Sequence, residues 1–387
     1  MDMNVSTAET SAAVDSSPAV KIPRTPMSLF VSITSRCNQA CRHCAVYSDG
    51  FNYGPDLTTN QWLDFIDEVE RLKVLRVKIS GGEPFVREDI FELLDAFYSK
   101  PLRLSINTNA TLIDEASAKR IAGYNNKLDD VMVSIDGGEP KVHDRLRGRG
   151  AFHKAMQGVN LLLQSGINVS AYCTVTRLNF TELEPVARLV REMGISSVKF
   201  NYLLYEGRGY KYQKELNLTA QERKAVIDEL KEVRKDHPFI SGTLFEMNEI
   251  FEDIRKFQEM KQSRPGVFEG FDPSTHYFTG CGALRNECAI RPDGLATPCD
   301  RLPEITAGSI LETPLDVIWR ESEAFTEFRK RFTTPLSSLS TCADCEYMPI
   351  CTAGCPASAY TAYGEVLARD PSCCYMLFSE ELEHDTA

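Results

Sequence analysis

Between residues 28 and 203, short apolar runs recur at even intervals, each separated from the next by a stretch with helical spacing. The run at 28–34 (SLFVSIT) reads as a strand, and further strands are expected at 74–79, 102–108, 131–135, 169–175 and 197–203. Val, Ile and Phe are frequent in them, residues that suit a pleated, half-buried surface. Over 58–72, Trp62, Phe65, Ile66, Val69 and Leu72 share one face of a helix, and Thr58 with Gln61 can close a capping box at its start. Helical patterns also fall near 87–97, 114–123, 151–165 and 181–193. Six strands alternating with five helices predict an α/β unit built on a parallel sheet. A closed eight-stranded barrel needs about 250 residues, so this stretch predicts a partial, open barrel over 27–205.

The rhythm breaks at 206–279, where a Gly-rich turn and two charged helical patterns (219–235 and 246–262) predict a helical bridge. Residues 280–375 are turn-rich with little apolar sequence, and 376–387 form a tail. Residues 1–26, rich in Ser, Thr, Ala and Pro, read as a disordered arm without the charged and apolar regions of a signal peptide.

Charge and cysteine usage sharpen this outline. A net charge of −12 argues against nucleic-acid or anionic-membrane partners, and no apolar run is long enough to span a bilayer. Thirteen cysteines are an odd number for a disulfide framework, and nine of them fall in 280–375. Clustered thiols predict metal ligation in a reducing, cytoplasmic setting. The C-terminal segment is expected to need metal to hold its shape.

The first expected strand runs directly into Cys37-Asn38-Gln39-Ala40-Cys41-Arg42-His43-Cys44. Three thiolates in one loop can converge on one inorganic centre, and soft thiolates select zinc or iron–sulfur clusters. A structural zinc ion would want a fourth ligand, which His43, wedged between two cysteines, is badly placed to give. The C-x-x-x-C-x-x-C spacing after the first strand of an α/β repeat resembles the signature of the radical S-adenosylmethionine (SAM) superfamily. The resemblance implies a four-iron cluster on Cys37, Cys41 and Cys44, with one iron left open to chelate SAM. It also implies reductive cleavage of SAM to a 5′-deoxyadenosyl radical that abstracts hydrogen from a substrate, with His43 packed on the adenine.

Reactive groups in parallel barrels gather at the C-terminal ends of strands. Here those ends read Gly81-Gly82-Glu83-Pro84, Asn107-Thr108-Asn109, Ser134-Ile135-Asp136-Gly137, Thr174 with Thr176, and Asn201. By resemblance, Gly82 and Glu83 receive the methionyl ammonium, while Asn109, Ser134 and Asp136 line the SAM side. His143-Asp144-Arg145-Leu146-Arg147 matches the family's His-Asp-x-x-Arg. Arg147 reads equally as a SAM carboxylate contact or as a salt bridge ordering the next loop. The basic run 141–154 otherwise reads as a solvated loop.

Further on, twelve residues separate Cys281 from Gly294 and four separate Gly294 from Cys299; then follow Cys342-x2-Cys345-x5-Cys351-x3-Cys355 and, after seventeen residues, Cys373. This resembles the SPASM domain, which carries two auxiliary four-iron clusters. The resemblance implies Cys281, Cys299 and Cys355 on an inner cluster, with Cys288 as its fourth ligand. It places Cys342, Cys345, Cys351 and Cys373 on an outer one, Cys373 being favoured over Cys374 by spacing. Cys173, mid-strand among apolar neighbours, reads as a core thiol. Asp300 resembles the aspartate of the Pro-Cys-Asp element of anaerobic sulfatase-maturing enzymes, where it serves as substrate base; otherwise it caps a turn and pairs with Arg301.

The expected architecture is thus a partial (β/α)6 radical SAM barrel followed by a small cysteine-rich SPASM domain, with three [4Fe–4S] clusters and SAM as cofactors. The resemblance implies modification of a ribosomally made peptide by crosslinking, epimerisation, oxidation or decarboxylation. Its alternatives are oxidation or decarboxylation of a haem precursor, alcohol or sugar, or sulfatase-maturase-like protein oxidation. The expected partners are a peptide substrate, an electron donor such as flavodoxin or ferredoxin and, with only 1–26 before the first strand, either a separate recognition protein or direct binding of the substrate.

Overall fold

The computed structural model describes residues 21–45, 53–203, 207–278, 281–339, 342–351 and 354–370. Six strands alternate with helices in the first half: β1 (Ser28–Ser32), β2 (Arg76–Ser80), β3 (Arg103–Thr108), β4 (Leu128–Ser134), β5 (Val169–Val175) and β6 (Ser197–Tyr202). The helices between them are α1 (Thr59–Arg71), α2 (Ile90–Ser99), α3 (Glu115–Ala122), α4 (Pro140–Arg147), α5 (Ala151–Gln164) and α6 (Leu183–Met193). The capping box forms as expected: Gln61 N–H donates to Thr58 Oγ1 (3.3 Å) and Thr58 N–H to Gln61 Oε1 (2.9 Å). Behind it Trp62, Phe65, Ile66 and Val69 are buried, each worth about 1.5–3 kcal/mol of apolar burial.

The sheet extends past the expected six strands. Its order is β10-β9-β8-β1-β2-β3-β4-β5-β6-β7, adding β7 (Ile240–Ser241), β8 (Glu287–Ile290), β9 (Leu295–Thr297) and β10 (Gly308–Ser309). Pairing is parallel from β8 through β7, and only the β8–β9 and β9–β10 pairs are antiparallel. The C-terminal segment therefore begins as a continuation of the barrel wall, with Leu29 opposite Cys288 in the β1–β8 register. These three strands are two to four residues long, too short for the alternation that reveals β1 to β6.

The bridge carries α7 (Gly207–Lys211), α8 (Gln213–Leu216), α9 (Ala220–Asp236) and α10 (Thr243–Ser263). Beyond β10 lie α11 (Leu315–Glu321), α12 (Glu323–Arg329) and α13 (Pro356–Tyr363). Of the expected N-terminal arm, 1–20 lies outside the described residues, as do 371–387 with Cys373 and Cys374. Residues 21–26 run along the fold, where Pro23 O accepts from Trp319 Nε1 (2.8 Å) and Thr25 Oγ1 donates to Leu72 O (3.2 Å). No helix among the described residues is long and apolar enough to cross a membrane.

Helix α4 corrects the reading of 141–154 as a solvated loop. His143, Leu146 and Arg147, three and four apart, are buried on one face. That face is mostly polar because it packs against charged partners, so apolar periodicity could not reveal it.

Parallel strands covered on both faces are usually apolar throughout, yet β1, β2 and β3 alternate buried with half-buried positions. Leu29, Val31, Val77, Ile79, Leu104 and Ile106 join one core with the helices. The opposite face, with Phe30, Lys78, Ser80, Asn107, Met132, Ser134, Tyr172 and Thr174, lines a cavity of about 340 Å³. The alternation marks a sheet that holds a hollow.

The rim of this hollow depends on a close backbone approach at Gly81. Its φ is +136°, and a Cβ there would lie 2.5 Å from Thr34 O. Gly81→Ala is expected to cost about 1–3 kcal/mol, read as a lower urea midpoint at unchanged slope. Gly148→Ala, with φ +109° but nothing within 4 Å, should cost less; equal costs would mean that the contact with Thr34 adds nothing.

Candidate active site

Past β1 the chain is pinned by Asp56, whose Oδ2 accepts from Thr34 Oγ1 (2.5 Å) and Oδ1 from Ser35 N–H (2.8 Å) and Oγ (2.9 Å). The cysteine loop that follows is tied on three sides. Asn38 donates to Thr111 Oγ1 (2.8 Å) and accepts from Asn109 Nδ2 (2.9 Å), which fixes it to the end of β3. Arg42 N–H donates to Leu146 O on α4 (3.0 Å), and Arg208 on α7 donates through Nη1 to Cys41 O (3.1 Å). Cys37, Cys41 and Cys44 all line the cavity. Burial raises the Cys37 thiol and pushes Cys41 up to about 11, with Arg147 working the other way at Cys41.

Glu83 stands opposite this loop. The Gly-Gly turn is fastened to β1 by Gly82 N–H to Thr34 O and Glu83 N–H to Arg36 O, both 2.9 Å. The Glu83 carboxylate is buried and accepts from Thr108 Oγ1 (2.7 Å), Asn109 N–H (2.7 Å) and Phe85 N–H (3.2 Å). Burial pushes it up to about 7, against the pull of those donors. Like Asp136 below, it does not itself line the cavity, which its neighbour Gly82 reaches.

Asn109 lines the cavity as expected, whereas Asp136 does not. The Asn109 amide is occupied by Asn38 and Thr111, so its backbone, not its side chain, meets Glu83. Asn107, two residues earlier, faces the cavity with a buried Oδ1 that has no partner among the described residues. Asp136 is fully buried and absent from the cavity wall. It accepts from Arg147 Nε (2.5 Å) and Thr174 N–H (2.9 Å), and its Oδ2 lies 3.3 Å from His43 Nε2. Burial raises the Asp136 carboxyl, but Arg147 and the two histidines outweigh it and hold it below the usual range. Arg147, also buried, reaches Cys41 Sγ (3.9 Å) and His43 Nε2 (3.3 Å). Its salt bridge runs to Asp136 rather than into the following loop.

His43 lies on the cavity wall, and burial brings its imidazole down to about 4, so it is neutral at physiological pH. Its Nδ1 has no partner among the described residues. Ser134 and Gly82 reach the same wall. With His43 Nδ1 and Asn107 Oδ1 unpartnered and buried, this wall fits a polar, multifunctional ligand such as SAM.

Sequence reasoning passed over the cavity floor: Phe30, Lys78, Met132 and Tyr172. For Met132 and Tyr172 the signal was present, because each stands two residues before a rim residue, Ser134 or Thr174, on its own strand and so points the same way. The Lys78 ammonium lies 4.6 Å from the Phe30 ring centre. Asp300 enters this floor from the C-terminal segment. It is reached by solvent through the cavity although protein surrounds it, so burial raises its carboxyl while Arg301 and Lys78 draw it back. Burial likewise pushes the Tyr172 phenol up to about 12.

The other cysteines form two groups and two outliers. Cys281, Cys299 and Cys355 sense one another's charge. Arg301 Nη1 donates to Cys355 Sγ (3.1 Å), and Asp370 Oδ2 accepts from Cys355 N–H (2.7 Å). Cys342, Cys345 and Cys351 lie in successive turns, with Cys345 and Cys351 packed beside Phe257 and Tyr347. Cys288 departs from its expected place. It is buried within β8 in the main core, and the charges it senses are those of Arg329 and Glu287, not of another cysteine. The β8 register with β1 fixes it there. Cys173 is a core thiol in β5, as expected.

Among the described residues, no three His, Cys, Asp or Glu side chains enclose a single-ion site. A four-iron cube is wider than one ion, and soft thiolates are its usual ligands. The Cys281 group also faces Arg331, a fully buried guanidinium that approaches the Cys281 thiol and whose Nε, Nη1 and Nη2 meet no oxygen or nitrogen acceptor among the described residues. That orphaned cation fits an anionic cluster held on these thiols.

Comparison with known proteins decides the family. The chain is 31% identical over 352 residues to mycofactocin maturase MftC of Mycolicibacterium smegmatis, covering 90% of this chain and 82% of that protein. The radical SAM superfamily model matches residues 31–190. The chain belongs to the radical SAM superfamily. Its C-terminal part matches the SPASM iron–sulfur cluster-binding domain over 281–346. An AdoMet-dependent heme synthase of Oleidesulfovibrio alaskensis is 30% identical, covering 93% of this chain and 89% of that protein. Two solved structures share the fold. Streptococcus suis SuiB bound to precursor peptide SuiA has a TM-score of 0.69 at 17% identity, covering 91% of this chain and 76% of that one. Native anSMEcpe with bound AdoMet has 0.67 at 21% identity, covering 92% and 96%. The protein is thus a radical SAM enzyme with a SPASM domain, whose cofactors are SAM and three four-iron clusters.

The buried Asp136–Arg147 pair yields a prediction. Arg147→Met leaves an uncompensated buried carboxylate and should destabilise the fold by about 3–5 kcal/mol. Arg147→Met/Asp136→Leu should recover much of that loss in urea unfolding. A double variant no more stable than the single one would refute the pairing.

Proposed function

We propose that Cys37, Cys41 and Cys44 hold the catalytic cluster, that the wall opposite binds SAM, and that the substrate is a ribosomally made peptide modified after hydrogen abstraction. When bound, the cluster and SAM supply an electron and a 5′-deoxyadenosyl radical that takes a hydrogen atom from the substrate. The Glu83 carboxylate and Gly82 backbone receive the methionyl ammonium, neutral His43 packs against the adenine, and Ser134 and Asn107 offer polar atoms to the remainder. Arg147 lends positive charge beside Cys41 while Asp136 fixes its direction.

The observation that carries this reading is the shared cavity. One hollow is lined by all three N-terminal cysteines, by Gly82 and His43, and by Asp300 from the C-terminal segment. A substrate placed there meets the reacting end of SAM and a carboxylate that can take its proton at Asp300 Oδ. We propose the inner cluster on Cys281, Cys299 and Cys355, and the outer one on Cys342, Cys345, Cys351 and Cys373. The peptide reading is supported by the maturase among the relatives and by the precursor peptide bound to SuiB, which shares the fold. Reduced flavodoxin or ferredoxin supplies electrons, a separate protein presents the peptide, and the setting is the cytoplasm.

The heme synthases among the relatives favour a second reading, a haem precursor as substrate. Anaerobic enzyme with SAM and dithionite can be offered short peptides encoded beside its gene or an iron porphyrin. A mass change in a peptide, with matching 5′-deoxyadenosine, supports the first reading; modification of the porphyrin alone overturns it.

Two predictions follow from the cofactor assignments. Reconstituted protein should hold about twelve irons, at four per cluster. The Cys37→Ala/Cys41→Ala/Cys44→Ala variant should keep about two thirds of them and lose SAM cleavage; zinc as the dominant metal would overturn the assignment. Because burial raises Glu83 to about 7, its carboxylate forms only as pH rises through neutrality. SAM affinity should therefore fall about tenfold per pH unit below that point. Glu83→Gln should weaken binding by about 1.5–3 kcal/mol and flatten the profile, as measured by equilibrium dialysis.

A further inference from the structure

Arg331 sits in the short turn after α12 and is fully buried. Its guanidinium lies 5.1, 5.3 and 5.4 Å from the ring centres of Phe278, Phe328 and Phe332. Among the described residues its guanidinium approaches one polar partner, the Cys281 thiol; its nitrogens have no other hydrogen-bond partner and it forms no ion pair with a carboxylate. The anions it senses are Cys281 first, then Cys355 and Cys299. From the other side Arg301 donates to Cys355 Sγ and Ser358 Oγ, both at 3.1 Å.

Aromatic faces attract a cation only weakly, whereas an unpaired buried charge costs several kcal/mol. Three neutral thiols do not offset that cost, but three thiolates on an iron–sulfur cluster do. Arg147 provides the contrast within the same chain. It too lies beside a thiol, Cys41, but Asp136 neutralises it. Arg331, at the inner site, meets no carboxylate among the described residues.

We propose that Arg331 is the counter-charge of the inner auxiliary cluster, closing with Arg301 a two-guanidinium clamp on Cys281, Cys299 and Cys355 that favours the reduced cluster and raises its potential. This rests on the assignment of those cysteines to a cluster. Positive charge and N–H donors near cluster sulfurs stabilise the added electron, and the buried, aromatic surroundings of Arg331 strengthen the effect. Arg331 acts through the cluster and is a positioning residue, remote from the substrate.

The test uses full-length, anaerobically reconstituted protein in the Cys37→Ala/Cys41→Ala/Cys44→Ala background, so that only auxiliary signals remain. Electron paramagnetic resonance redox titration and iron analysis are the readouts. Arg331→Gln, which keeps donors without charge, should shift the reduction equilibrium of one auxiliary centre at least tenfold toward oxidised, about 59 mV for a one-electron couple. The other centre should not move. Loss of one cluster's iron with the second signal intact would equally support the clamp. Arg331→Lys should hold its iron and show a smaller shift at the same centre, and it decides the matter if the Gln variant does not fold. Unchanged potentials and iron in the folded variants, or a shift confined to the outer centre, would overturn the proposal. A Cys281→Ala/Cys299→Ala variant that loses no iron would instead remove the cluster assignment beneath it.

Discussion

Because β1 is paired in parallel along both edges, to β2 and to β8, its C-terminal end opens between two strand ends that arrive at the same height. The loop leaving it carries Cys37, Cys41 and Cys44. The loop leaving β2 carries Gly82 and Glu83, fastened to Thr34 and Arg36 by backbone hydrogen bonds. The hairpin that starts with β8 leads to Cys299 and brings Asp300 round to the cavity floor. Parallel pairing thus sets the spacing between groups distant in sequence. No side-chain contact among them is needed to bring them together.

The chain places buried arginines beside its thiols at two points and treats them differently. At the N-terminal site, Arg147 is spent on Asp136 and His43, so its influence on Cys41 is partly cancelled and mainly directional. At the C-terminal site, Arg331 keeps its charge unspent among three phenylalanines. A centre with a neutralised neighbour and one with a naked cation differ in how readily each accepts an electron. One protein can in this way hold like clusters at unlike potentials.

The strands β1 to β6 and their connecting helices were legible because each is long enough for its period to show. The three-cysteine loop and Glu83 were legible because both sit at strand ends, where a parallel sheet exposes its loops. Helix α4 was hidden, since its inward face is His143 and Arg147, and polar burial leaves no apolar stripe. Strands β8 to β10 were hidden by their brevity, and with them the true position of Cys288. Spacing placed Cys288 within reach of the inner cysteines; only the pairing of β8 with β1 shows that its side chain belongs to the core. Asn107 and Asn109 show the same limit in miniature. Two residues of one type stand two apart, and hydrogen bonds to Asn38 and Thr111 decide which amide remains for a ligand.

The β1–β8 pairing joins two family domains by a row of main-chain hydrogen bonds. A linker can be cut and leave two folded parts; a seam cannot. Severing the chain before β8 would strip β1 along one edge, baring its unpaired amides and carbonyls to any neighbouring strand. Recombining C-terminal halves between such enzymes therefore means exchanging part of the barrel wall.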